Sequence, residues 1–254
     1  VHSISAGIRR VMARRGHQVL TCPVTFVGSR QISANYHRVT LRGEGLRGYR
    51  DPLPGDAFKL ALPAVRCYTV QSFDPDSATL EFDLFVRPQG FGARWLRTAR
   101  PGEELSLTGM RVDFHRVPDA HHLVIADTAG IPAAATILRS CVRAEAVARA
   151  DPGDRGLLPE RTRWASGALL DAVRPPDPGT QVWIGAEHAV AQQIRKYLLH
   201  ECAVPQENLH ASPYWTSGLD WERTFAESMR RFTDAAAAGL DTGDPLLLQA
   251  LAFE

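Results

Sequence analysis

A chain of 254 residues has room for two ordinary domains, each with its own core. Hydrophobic residues at 44% and charged residues at 22% describe a folded chain, and a net charge of +1 argues against a nucleic-acid binder, which carries a marked basic excess. No apolar run approaches the roughly 18 residues of a membrane-spanning helix, and Cys22, Cys67, Cys141 and Cys202 stand too far apart for a clustered thiolate metal site.

The first segment, 1–16, contains "SISAGIRRVMARRG", which predicts a short basic helix on the surface. It has positive charges but no apolar h-region, so no signal peptide is expected, and a cytoplasmic chain with reduced thiols follows. From 17 to 117 the pattern is β. "HQVLTCPVTFVGSR", "YHRVTLRG", "DAFKLALP", "RCYTVQSF", "ATLEFDLFV" and "EELSLTGM" are β-branched and aromatic runs divided by turn clusters such as "GEGLRG" and "DPLPGD". Strands at roughly ten-residue spacing predict a small antiparallel barrel. A glycine turn leading into "GFGARWLRTAR" predicts one helix before Pro101-Gly102 ends it.

From 118 to 222 the rhythm becomes strand–helix alternation. "HLVIAD" reads as a buried strand and "IPAAATILRSCV" as a helix with Pro132 in its first turn. "VRAEAVARA" reads as a strand, "SGALLDAVR" as a helix, "TQVWIGA" as a buried strand, "EHAVAQQIRKYLLHE" as a helix and "NLHASPYW" as the closing strand. Such alternation predicts a mainly parallel sheet covered by helices. Residues 223–254 read as a helical tail with a loose end.

The stretch "RCYTV" carries most of the functional signal. Side chains alternate across a strand, so Arg66 and Tyr68 share one face and Thr69 takes the other, unless a bulge or strand end turns all three toward one ligand. A guanidinium suits a phosphate, a tyrosine ring offers a stacking surface, and a threonine hydroxyl reaches a heterocyclic nitrogen. A flavin nucleotide needs those three contacts, at its pyrophosphate, ring face and N5. A strand-face arginine beside a half-buried tyrosine would give the same letters in any barrel. Gly90 and Gly92 permit a close backbone approach at a helix N-terminus, where unpaired N–H groups suit a pyrophosphate. "ADTAGIPAAA" places a strand end beside a helix start, the usual nucleotide position in an open α/β sheet, without a G-x-G-x-x-G fingerprint.

These segments together resemble the siderophore-interacting proteins, a family of ferric-siderophore reductases related to ferredoxin reductases. "RCYTV" is similar to the family's R-x-Y-T flavin motif, and "FDLFVRPQGFGARWLRTARPGEELSLTG" to its glycine turn, R-W helix and following strand. "HHLVIADTAGIPAAATIL" is similar to the opening of its nicotinamide domain, and "VWIGAEHAVAQQIRKYL" and "ASPYWTSG" to its late strand–helix and terminal Y-W-x-x-G. The resemblance spans about residues 17–221 in order. It implies an FAD-binding antiparallel β-barrel followed by a parallel-sheet nicotinamide-binding domain. FAD would be held by Arg66, Tyr68, Thr69, Arg87, Gly90, Gly92, Ala93, Arg94 and Trp95, with Tyr68 and Thr69 at the reacting ring. NAD(P)H would enter past Asp127, Thr128, Gly185 and Glu187, with Trp215 over the exposed flavin face. A small-molecule substrate such as a ferric siderophore would meet the flavin between the barrel and the Tyr214–Gly218 segment.

The departures from the family pattern bear on function. Gln71 replaces an arginine, Arg87 and Pro88 replace His-Gly, and Ala93 replaces a serine that would contact phosphate. Ala126-Asp127-Thr128-Ala129 replaces Gly-Asp-Glu-Thr, and Thr216-Ser217 replaces an arginine pair suited to an anionic partner. Lys59 and Lys196 are the only lysines, so arginine must hold any anion unless Lys59 contributes. Three functions stay open to the sequence: a ferric-siderophore reductase, a flavoprotein of the same ancestry recruited to a biosynthetic pathway, or a module without reductase activity. The residues do not choose NADH or NADPH, and they leave the oligomeric state undetermined.

Overall fold

A computed structural model describes residues 3–15, 20–62, 65–87, 90–217 and 221–253, the side chains of 221–225 excepted. Pro88 and Gly218, named above, lie outside the described residues. Six strands, β1 (Leu20–Gln31), β2 (Tyr36–Arg42), β3 (Ala57–Ala61), β4 (Val65–Asp74), β5 (Thr79–Phe85) and β6 (Glu104–Arg111), form a closed antiparallel barrel in the order β1-β2-β5-β4-β3-β6. Closure removes the exposed strand edge that an open sheet would carry. The barrel interior is filled from alternate positions, with Val24, Phe26, Val39, Leu41, Phe58, Leu60, Leu80, Phe82 and Leu107 in one cluster. Register slips between Val70 and Ser72 where β4 pairs with β5, just past Thr69, and again where Ala57, the register partner of Thr69, and Phe58 pair with β6.

The second unit is a five-stranded parallel sheet in the order β11-β10-β7-β8-β9, built from β7 (His122–Ala126), β8 (Ala144–Ala148), β9 (Arg163–Trp164), β10 (Gln181–Glu187) and β11 (Leu209–Trp215). Every residue of β7 and β10 is buried, because helices cover both faces. The chain runs outward from β7 to β9 on one side and from β10 to β11 on the other. The switch point of the topology therefore lies between the carboxyl ends of β7 and β10, where such sheets bind ligands.

The helices are α1 (Ile4–Arg15), α2 (Phe91–Thr98), α3 (Ile131–Ser140), α4 (His188–Lys196), α5 (Trp221–Ala237) and α6 (Pro245–Phe253). Three placements differ from the sequence reading. The basic helix α1 is not a surface appendage: Ile4, Ile8 and Val11 recur at helical spacing and enter the cluster that joins barrel and sheet, leaving Arg9, Arg10 and Arg14 outward. "SGALLDAVR" makes only a single 3₁₀ turn, Leu170–Ala172, ahead of Pro175-Pro176, and the short edge strand β9 was not foreseen. The C-terminal segment is fastened rather than loose, since Gln249 Oε1 accepts the Ala211 N–H at 2.8 Å and Phe253 is buried against the sheet.

Barrel and sheet are joined by polar contacts as well as by α1. Thr136 Oγ1 on α3 accepts the Gly55 N–H at 2.9 Å, and Gln71 Nε2 donates to the Pro132 carbonyl at 2.7 Å. Arg139 in turn donates to Gln71 Oε1 at 3.1 Å. Gln71, which stands where the family pattern has arginine, is thus a fastener between the two halves. Among the described residues, no helix is long and apolar enough to cross a membrane.

Candidate cofactor and substrate site

Alternation on β4 turns Arg66 and Tyr68 one way and Thr69 the other. Tyr68 stacks against Phe82 (centroids 4.5 Å) and Phe58 (6.2 Å) at the barrel mouth. Burial and the neighbouring Cys67 raise the phenol's pKa against the lowering effect of Arg66, so its O–H stays protonated. The N-terminus of α2 lies directly on this ring. A Cβ at Gly92 would come within 2.9 Å of the Tyr68 hydroxyl and 3.1 Å of Leu84 Cδ1, so the glycine permits the approach.

The same helix end gathers two cations. The guanidinium carbons of Arg66 and Arg94 lie 4.5 and 4.2 Å from the Phe91 ring centroid. Gly90, the N-cap, makes no side-chain cap bond, so the first N–H groups of α2 receive no side-chain acceptor from it. Guanidiniums gathered at the positive end of a helix suit an anion, and a diphosphate is one such group. Trp95 is buried edge-on against Phe26 (5.2 Å) and donates to Glu103 Oε1 at 3.0 Å, and the Ala93 side chain is buried, so both side chains anchor α2.

At the sheet's switch point Asp127, Gly185, Glu187 and Trp215 do come together, but in a closed knot. Asp127, 1% exposed, accepts the Ala129 and Gly130 N–H groups on Oδ1 at 2.8 and 3.3 Å. Its Oδ2 accepts the Glu187 N–H and the Trp215 indole N–H, both at 2.8 Å. Glu187 caps α4 by accepting Val190 N–H at 3.1 Å and also accepts Ser217 N–H at 3.0 Å. A Cβ at Gly130 would lie 2.0 Å from the Gly185 carbonyl, so only glycine lets α3 start this close to β10. The Thr128 carbonyl accepts the Tyr36 hydroxyl from the barrel. Arg87 lies over the Trp215 ring at 4.2 Å, pinning it from the barrel side.

Thr69, expected at the reacting ring, is only 2% exposed on the face of β4 opposite Tyr68, near Tyr214, and does not open to solvent. Tyr214 belongs to a buried polar cluster that the sequence reading did not single out. Asp113 accepts Ser212 Oγ at 2.5 Å and the Tyr214 hydroxyl at 3.0 Å, with His210 Nε2 at 3.2 Å and Arg111 at 3.5 Å. Burial alone would raise the Asp113 carboxyl, but Arg111, His210 and Ser212 outweigh it and hold the group below the usual carboxylate range. The available signal was polar alternation in "LHASPYW", since His210, Ser212 and Tyr214 fall on one face of the closing strand.

A groove of about 1030 Å³ runs along β3 and β6 beneath α1 and α5, lined in part by Arg14, Arg15, Arg50, Lys59, Cys67 and Arg111. Arg15 pairs with Asp56 at 2.7 Å and Arg14 with Asp51 at 3.6 Å. The rim is cationic on balance, with Asp51 the single acidic lining residue among those described. It lies along the barrel, and residues 214–217 are not among its lining residues.

Comparison with known proteins agrees with this architecture. The family pattern described as "Siderophore-interacting FAD-binding domain" matches residues 61–114, and that described as "Siderophore-interacting protein" matches residues 119–218. The ferric vibriobactin reductase ViuB of Vibrio cholerae is 25% identical over 244 residues, covering 78% of this chain and 90% of that protein. The mycobactin import ATP-binding/permease protein IrtA of Mycobacterium tuberculosis is 26% identical over 70% of this chain, which spans only 22% of that protein's length. The solved siderophore-interacting protein of Acinetobacter baumannii superposes with a TM-score of 0.75 at 20% identity, covering 87% of this chain and 100% of that one. With an antiparallel barrel, a parallel-sheet domain and both family patterns in order, the chain belongs to the siderophore-interacting protein family, whose fold is that of the ferredoxin–NADP reductases.

Proposed function

We propose that the chain is an FAD-dependent oxidoreductase that draws electrons from a reduced nicotinamide and delivers them to chelated ferric iron. The observation that carries the FAD assignment is the convergence of Arg66 and Arg94 on Phe91 at the uncapped start of α2, directly above Tyr68. That donor set fits a dinucleotide: guanidiniums and helix N–H groups for the pyrophosphate, and Tyr68 for the ring. FAD, when bound, supplies two-electron acceptance and one-electron release, so no dedicated acid–base pair is required of the protein. The chain's own contribution is to bind, to orient and to keep water from the ring.

The reduced nicotinamide reaches the ring from the switch point between β7 and β10, past Thr128 and Trp215. The ferric chelate is the substrate. Its anionic ligand shell is drawn to the groove of Arg14, Arg15, Arg50, Lys59 and Arg111, where barrel arginines stand in for the absent pair at 216 and 217. Outer-sphere electron transfer needs only close approach, so a groove serves as well as a closed pocket.

One observation favours a second reading, a flavoprotein without nicotinamide-driven reduction. Asp127 and Glu187 are committed to structural bonds that lock Trp215 at the entrance. Anaerobic mixing of the FAD-loaded chain with NADH and with NADPH separates the two. Bleaching of the flavin bands, followed by recovery when a ferric catecholate is added, supports the reductase. Bands that neither donor bleaches, yet dithionite does, establish the second reading in its place.

A further inference from the structure

The groove beside β3 and β6 carries more than charge. The chain has three methionines, and two of them, Met12 on α1 and Met110 on β6, line it. The third, Met229, stands one helical turn before Phe232 on α5, and Phe232 lines the groove as well. An isolated surface phenylalanine is ordinary, but Phe232, 37% exposed, shares this space with two thioethers and with the cations Arg50, Lys59 and Arg111. The fold holds it there. Arg231 donates to the Leu251 carbonyl at 3.3 Å and so fastens α5 to α6, while Gln249 pins α6 to β11. Arg9 of α1 pairs with Asp244, just ahead of α6, at 2.6 Å. Helix α5 begins after residue 218, where the match to the family pattern ends, so Phe232 reaches the groove from outside the matched segment.

We infer that the groove selects an anionic chelate whose iron-binding arms are aromatic, a catecholate or a phenolate, and that Phe232 is the residue that distinguishes those rings from aliphatic arms. The inference rests on the reading of this groove as the ferric-chelate site. Thioethers and an aromatic ring both gain contact with a flat arene, through sulfur–aromatic and edge or offset ring packing, and neither gains from a hydrated carboxylate. The cations attract any anion and do not tell a catecholate from a citrate. Discrimination between anions therefore falls to Met12, Met110 and Phe232. At about 1030 Å³ the groove stands at the upper end of ordinary ligand sites, roughly 300–1,000 Å³, which gives room for a chelate with several rings.

The test is binding without electron transfer: titration calorimetry of the intact chain with gallium(III) chelates, which keep the charge and shape of the ferric complexes and are not reduced. One ligand shell is catechol, anionic and aromatic; the other is citrate, anionic and aliphatic. Wild type should bind the catechol complex roughly tenfold more tightly than the citrate complex, a ratio that covering part of one ring accounts for. Phe232→Ala should weaken the catechol complex roughly tenfold and the citrate complex by less than about twofold, with Phe232→Leu in between. Lys59→Gln combined with Arg50→Gln should weaken both complexes alike. Equal losses for both complexes in Phe232→Ala, or no loss for either, overturn the inference, and the charge variant then decides separately that the groove stands as the chelate site. Wild type that binds the citrate complex as tightly as the catechol complex overturns the inference too. If wild type binds neither complex, or the charge variant weakens neither, the groove reading falls and this inference with it.

Discussion

Replacing Asp127 by asparagine tests whether this carboxylate is a fastener of the fold or a free wall of a nicotinamide site. Both oxygens are committed, to Ala129 and Gly130 N–H on one side and to Glu187 N–H and the Trp215 indole on the other. Asparagine keeps one oxygen, so whichever pair meets its amide nitrogen faces donor against donor. Hydrogen bonds to a charged group are worth roughly 1.5–3 kcal/mol each, and a buried donor left unpaired costs about 1–3 kcal/mol. The bonds share one acceptor and are not additive, so a loss of about 2–4 kcal/mol is expected. Trp215→Phe removes one half-exposed bond of the four and should cost about 1 kcal/mol. Urea unfolding followed by circular dichroism gives both values, and tryptophan fluorescence reports release of Trp215 in Asp127→Asn. A stability within about 0.5 kcal/mol of wild type, the range of an ordinary surface change, would refute the fastener and return Asp127 to the ligand.

Three further outcomes are expected. Arg66→Ala should weaken FAD binding by about 1.5–3 kcal/mol, and Tyr68→Phe by no more than about 1 kcal/mol, because only the first removes charge-assisted bonds; fluorescence titration with FAD ranks them. Asp113, held below its ordinary pKa, contributes stability that is complete above the unfolded value of about 3.9 and is lost as pH falls toward the depressed folded value. Urea midpoints between pH 6 and 2.5 should therefore fall for wild type and fall less steeply for Asp113→Asn. Lys59→Gln combined with Arg50→Gln should raise KM for an anionic ferric chelate and flatten its salt dependence, while a neutral chelate is unaffected; equal effects on both chelates would remove the groove from the substrate path.

The barrel was legible because apolar residues alternate between Gly and Pro turns, as Cys22, Val24 and Phe26 do on β1 and Leu80, Phe82 and Leu84 on β5, and the parallel sheet because β7 and β10 are mostly continuous apolar runs. The R-x-Y-T stretch and the glycine turn told which residues would stand near one another, and Gly92 against Tyr68 shows the contact. What the sequence hid depends on tertiary register. Four arginines in α1 masked the stripe of Ile4, Ile8 and Val11 that docks it. Asp113 lies just beyond the last barrel strand and gains its partners only when β11 arrives from the other end of the chain. Trp95 came into the expected site through the resemblance to the family's R-W helix, and its side chain on α2 faces the barrel and Glu103. The cationic groove combines α1, β3, β6 and the loop at Arg50, which no local pattern could join.

The claim that α2 and β4 form a dinucleotide site is tested most directly by loading the chain with excess FAD, separating free flavin by gel filtration and recording the visible spectrum. The account predicts flavin bands that co-elute at near-stoichiometric level with the wild-type chain and are lost from a folded Arg66→Ala, Arg94→Ala double variant. Colourless wild-type protein, or a double variant that retains FAD as firmly as wild type, would contradict it.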